Sequence, residues 1–162
     1  MAKVVERPEA DLYETDFPLW AKRQAELLRA GRYQDLDLDH LIEEVADLGV
    51  SERHAVFSAA RRIIEHLLKL EHSPARDPRR GWEDSVTAHR TDLEEQLTAT
   101  LRRDVERELG KVYSRARQDA ARGLRRDRVA LSDLPNRCPY ALDEILDPDW
   151  LPTNRHGIEG NR

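Results

Sequence analysis

The stretch from Leu38 to His72, LDHLIEEVADLGVSERHAVFSAARRIIEHLLKLEH, constrains the fold more than any other part of the chain. Its first half carries apolar residues at Leu38, Leu41, Ile42, Val45 and Leu48, the three-and-four spacing that lines one face of a helix. Asp37 stands where an N-cap is needed. Gly49 follows the last of these residues, where glycine most cheaply ends a helix, and Ser51 is placed to cap a new one at the amide of His54. The second half shows a broader apolar face, Val56, Ala59, Ala60, Ile63, Ile64, Leu67, Leu68 and Leu70, and Pro74 stops it. The expectation is a helical hairpin hinged at Gly49, central to an all-α bundle of five or six helices.

The remaining segments fit around that hairpin. Residues 1–11 have no periodicity and are expected to form a loose arm, followed by one helical domain over 12–152 and a disordered tail over 153–162. Asp16 caps a helix with Pro18 in its first turn, Phe17, Trp20, Ala21, Leu27 and Leu28 inward, and Gly31 as its stop. SPARDPRRG after His72 is loop chemistry. Trp82, Val86, His89, Leu93 and Leu97 mark a helix with a stripe one residue wide, Thr98 to Thr100 interrupt it, and Leu101 to Gly123 continue as another. Pro139 introduces a last short helix from Tyr140 to Leu146. No strand-like alternation, internal repeat or low-complexity tract is present.

Composition narrows the function classes. At 162 residues, with 36% charged and 39% hydrophobic residues, the chain has material for a core built from narrow stripes with solvated outer faces. No run approaches a membrane span and the first residues lack a secretory apolar segment, so a cytoplasmic protein with no membrane partner is expected. One cysteine, Cys138, excludes an internal disulfide framework. There is no glycine-rich phosphate loop, nucleophile elbow or HExxH. Charge is uneven: residues 1–60 hold 7 Lys or Arg against 13 Asp or Glu, whereas 101–128 hold 10 against 5. Acidic front and basic back could attract one another, or the basic part could face a polyanion.

The blocks YETDFPLWAKRQAELLRAG, LDLDHLIEEVADLG, SERHAV, HLLKL, GWEDSVTAHR and CPYALDEILDPDWLP, in this order over Tyr13 to Pro152, resemble the bacterial family catalogued as domain of unknown function 29. The resemblance implies an all-helical fold and brings no activity. It falls on Tyr13, Asp16, Trp20, Glu43, Glu44, Gly49, His66, Trp82, Arg90 and Tyr140 among others. Leu70, where an aromatic is common in the family, and Gly81, in place of a serine cap, depart from the pattern.

Two constellations invite chemistry. If the hairpin brings Glu44 and His66 together and His89 joins from the next helix, a carboxylate and two imidazoles could hold a divalent metal and activate water for hydrolysis, with Arg90 holding an anion. The chain lacks the Glu-x-x-His repeat of di-metal bundles, and a structural hydrogen bond is the preferred reading of Glu44 and His66, with Glu43 on the surface. Arg76, Arg79 and Arg80 in the loop and Arg103 and Arg107 on the basic helix could neutralise phosphates. Interrupting acids and the overall net charge of −5 favour a solvated face laced with salt bridges instead. The reading chosen is a non-catalytic protein-interaction or oligomerisation module, with a protein partner or self-association and no cofactor. The alternative is a metal-assisted hydrolase, extending to nucleic acid as its substrate. The open apolar surface is expected on the thin stripe of helix 82–97.

Overall fold

The computed structural model describes residues 8–158, with side chains from residue 12. Six α-helices and no strand occur among the described residues: α1 (Pro8–Thr15), α2 (Phe17–Arg29), α3 (Leu38–His72), α4 (Arg79–Gln96), α5 (Ala99–Gly123) and α6 (Leu142–Leu146). The all-α expectation holds. Where one domain over 12–152 is expected, contacts divide the chain into two compact units, Met1–Ser51 and Glu52–Arg162.

In the first unit, Pro8 begins a helix inside the segment read as a loose arm; residues 1–7 of that arm lie outside the described residues. Asp16 then caps α2 as expected, its carboxylate accepting the Leu19 amide at 3.1 Å. Trp20, Gln24 and Leu27, spaced by four and three, are the buried positions of α2. Gly31 at φ +69° supplies the left-handed residue that ends it.

The hinge expected at Gly49 is absent. Helix α3 runs unbroken for 35 residues, Gly49 does not take a positive φ, and Ser51 lies inside the helix. A glycine in a helix interior costs only about 1 kcal/mol relative to alanine, too little to end a helix whose neighbours on both sides favour it. The boundary between the two compact units nevertheless falls two residues after it, at Ser51.

The second unit has its core on the later part of α3, where Val56, Ile63, Ile64, Leu67 and Leu68 are fully buried. Val86 and Leu93 of α4, Val105, Tyr113, Ala116 and Ala120 of α5, and Leu142 and Ile145 of α6 complete it. Helix α4 begins at Arg79, inside the segment read as loop, with Pro78 at its N-cap. Proline suits that position because its missing amide would have no intrahelical partner. Thr98 caps α5 by accepting the Leu101 amide at 3.2 Å.

The tail read as disordered is docked up to Ile158; 159–162 lie outside the described residues. Buried Asn154 donates to the carbonyls of Leu70 at 2.7 Å and Ser73 at 2.9 Å, and the Arg155 amide donates to Glu71 O at 2.9 Å. The last carbonyls of a helix have no partners of their own, and at the end of α3 this segment supplies them.

The apolar positions of α3 differ in cover. Leu38, Ile42 and Val45 precede Val56, Ala60 and Ile63 by 18 residues (56 − 38 = 18), about five helical turns. The later three are 0%, 1% and 0% exposed, the earlier three 54%, 66% and 67%. Leu48 is likewise exposed, whereas no large apolar side chain of α4 is. The open apolar surface therefore lies on the first half of α3, not on helix 82–97, whose Val86 and Leu93 are buried.

Candidate functional site

The start of α3 is fixed by a compact set of polar and aromatic contacts. Asp37 accepts hydrogen bonds from the Trp20 indole at 3.1 Å and pairs with His40 Nδ1 at 2.7 Å, while its amide donates to Gln24 Oε1 at 2.9 Å. The Tyr13 ring stacks on His40 at 3.9 Å, and its hydroxyl donates to Glu44 at 2.6 Å. Burial works against the charge on Asp37, yet the hydrogen bonds from His40 and Trp20 outweigh it and hold the carboxyl below its ordinary range. His40 is raised in return by that bond, and Tyr13 is pushed up to about 12, chiefly by its bond to Glu44. With one edge of the helix held this way, Leu41 is half-buried and Leu38, Ile42, Val45 and Leu48 are left open. Asp39, Glu43 and Asp47 are exposed beside that stripe, and no Lys or Arg occurs between 33 and 52. The arrangement is an apolar strip edged by carboxylates alone.

In the second unit, α3 and α5 border a groove of about 420 Å³ with an apolar floor of Phe57 and Val112 and with Arg53, Arg61, Lys111 and Arg115 along its sides. Arg53 lies over the Phe57 ring at 4.3 Å and pairs with Glu108 at 2.5 Å; Arg61 pairs with Asp119 at 2.9 Å. His54, Ser58 and Arg115 are exposed at its edge.

The residues singled out from sequence do not converge. Glu43 is exposed, and Glu44 is taken up by Tyr13. The reversal at Gly49 that would pair Glu44 with His66 is not there, because α3 runs through it. His66 is half-buried with Nδ1 unpartnered, and burial, with Lys69 and His89 nearby, lowers its pKa to about 4. His89 faces Asp92 at 3.6 Å. Among the described residues no three His, Cys, Asp or Glu side chains are grouped to hold a metal ion.

Arg90 is a framework residue. It is buried and donates to the carbonyls of Ile145, Trp150 and Glu144, each at 2.9 Å, which leaves no fork to hold an anion. The five arginines read as an anion face have separate surroundings. Arg79 is buried and donates to Leu70 O at 2.9 Å, Arg76 and Arg80 are exposed, Arg103 bonds to Ala99 O of its own helix, and Arg107 pairs with Asp104. Sequence reasoning passed over Arg53, Phe57, Lys111 and Arg115 as one groove. The signal was present in the basic run RHAVFSAARR and the 3–4 spacing of Glu108, Lys111, Val112 and Arg115, but only helix pairing puts them side by side.

No helix among the described residues is long and apolar enough to cross a membrane. No curated protein and no solved structure matches the chain. The family model described as Domain of unknown function DUF29 matches residues 12–151, nearly the whole described chain, and the protein belongs to that family.

Proposed function

We propose that the protein is a non-catalytic protein-interaction module whose binding face is the first half of α3. The observation that carries this reading is the run of Leu38, Ile42, Val45 and Leu48, exposed at 54%, 66%, 67% and 64% on a helix whose equivalent positions five turns later are buried. Four such side chains leave roughly 400 Å² of apolar surface in one strip, within the range of the largest patch on a typical soluble protein, which is often functional. Because its edges carry only carboxylates, the complementary partner surface is apolar with a basic rim.

The metal-assisted reading has less support. Its three ligands are not grouped, and Arg90 spends its guanidinium on backbone carbonyls.

The test uses a fluorescently labelled amphipathic helical peptide of leucine and lysine, titrated into the wild-type protein and into an Ile42→Asp, Val45→Asp variant while anisotropy is followed. The variant is expected to bind about tenfold or more weakly, and salt should weaken binding to the wild type. A peptide that ignores the wild type, or binds both proteins equally, refutes the reading.

A further inference from the structure

The carboxylate-edged strip on α3 needs an apolar surface walled by cations, and the groove between α3 and α5 has that chemistry. Phe57 and Val112 line it together with Arg53, Arg61, Lys111 and Arg115, and among the described residues the one acid in the lining is Glu108, which pairs with Arg53. We propose that the partner is a second copy of this chain, the strip of each protomer docking in the groove of the other. This rests on the interaction reading above and names its occupant.

Three observations favour this partner. The first is the charge order along one helix. From 38 to 52 it carries five Asp or Glu and no Lys or Arg; from 53 to 62 it carries three Arg, one His and no acid. An acidic strip meeting a basic groove is the pairing this order favours, whereas strip against strip sets carboxylates against carboxylates. The second is area. A stable pair buries about 800 Å² on each partner, which one strip of roughly 400 Å² cannot supply. Reciprocal docking uses strip and groove on every protomer and about doubles the contact. The third is closure: each protomer gives one strip and receives one, so a two-fold dimer leaves neither surface free to extend into a filament.

Sedimentation velocity on charge-reversed variants tests the pairing. One variant carries Glu43→Lys and Asp47→Lys on the strip; the other carries Lys111→Glu and Arg115→Glu on the groove. All four side chains are exposed, so folding is preserved, and circular dichroism checks it. The wild type is expected to be a dimer, and each variant alone should dimerise about tenfold or more weakly. An equimolar mixture of the two variants should recover the dimer, since a basic strip then meets an acidic groove and an acidic strip a basic one. If the groove variant alone dimerises as the wild type does, and the strip variant pairs with wild type as readily as with the groove variant, strip meets strip and the proposal is overturned. A wild type that stays monomeric at high concentration also overturns it. The lysine peptide then separates the two failures: binding at Ile42 and Val45 leaves the interaction reading standing with a different partner, and no binding removes both.

Discussion

Asn154 is the most consequential residue of the segment that sequence composition marks as tail. Its amide nitrogen donates to the carbonyls of Leu70, Glu71 and Ser73, and its oxygen accepts the amides of His156 at 2.8 Å and Ile158 at 3.3 Å. Truncation to alanine does not weigh equally on these groups. Leu70 O keeps Arg79 and Glu71 O keeps the Arg155 amide, so the loss falls on Ser73 O and on the amides of His156 and Ile158. Ser73 O is then unpaired in a buried position, while the two part-buried amides regain water, which gives a loss of about 1–3 kcal/mol for Asn154→Ala. Asn154→Asp removes the donors and adds a negative charge against carbonyls at the negative end of α3, so it should cost more, about 4 kcal/mol. Urea denaturation followed by fluorescence measures both. In a Trp20→Phe background the remaining Trp82 and Trp150 belong to the second unit and report on it alone. The order wild type, alanine, aspartate is the result expected. An alanine variant within about 0.5 kcal/mol of wild type, the range of an ordinary surface change, would refute the docking of this segment.

Three further perturbations separate structural roles. Gly49 is helical and a Cβ there meets nothing within 4 Å, so Gly49→Ala should stabilise the protein by about 0.5–1 kcal/mol in thermal melts; a loss instead would show the hinge. Arg90→Lys keeps the charge but loses the planar fork that reaches three carbonyls, and should cost about 2–4 kcal/mol by chemical denaturation. The two units should respond to pH with opposite sign. His66 and His72 are held neutral by burial, His66 down to about 4, so the unfolded chain binds protons first. The second unit should therefore lose stability as pH falls from about 6.5 towards 4. His40 is raised by Asp37, so its contribution is fully present below 6.5 and is lost as pH rises through its folded value, with Trp20 as the reporter in the first unit.

What was legible in the sequence was local. Asp16 acts as a cap because a cap is decided within three residues, Gly31 stops α2 because a positive φ suits glycine best, and the break read at Thr98 to Thr100 falls where Thr98 caps α5. Periodicity gave the apolar face of α3 correctly but could not say whether anything covers it, so Leu38, Ile42 and Val45 read the same as Val56, Ala60 and Ile63. Gly49 misled because one glycine is a weak signal inside a long run of helix formers. Asn154 and Arg90 were illegible for a different reason: their partners are 81–84 and 54–60 residues away in sequence, and nothing in a polar residue's own neighbours announces a distant carbonyl.

That distinction also bears on where function lies. Arg79, Arg90 and Asn154 are buried charged or polar residues that spend their hydrogen bonds on backbone carbonyls, and Glu65 spends its carboxylate on Lys69 and Arg62 of its own helix. Burial opposes the charge on Glu65, but those two bonds keep it ionised, as a framework ion pair requires. A carboxylate or guanidinium already committed in this way has little left to offer a substrate. The open chemistry is at the surface: apolar side chains in a strip on α3 with acids at their edge, and a groove beside α5 where Lys111 and Arg115 are exposed next to Arg53 and Arg61, which are paired with Glu108 and Asp119. Surfaces of opposite charge and shared apolar character are what association uses, since the apolar area supplies affinity and the charges select partner and register. The charge-reversal mixture is the experiment in which complementarity of the two surfaces, rather than mere stickiness, decides the outcome.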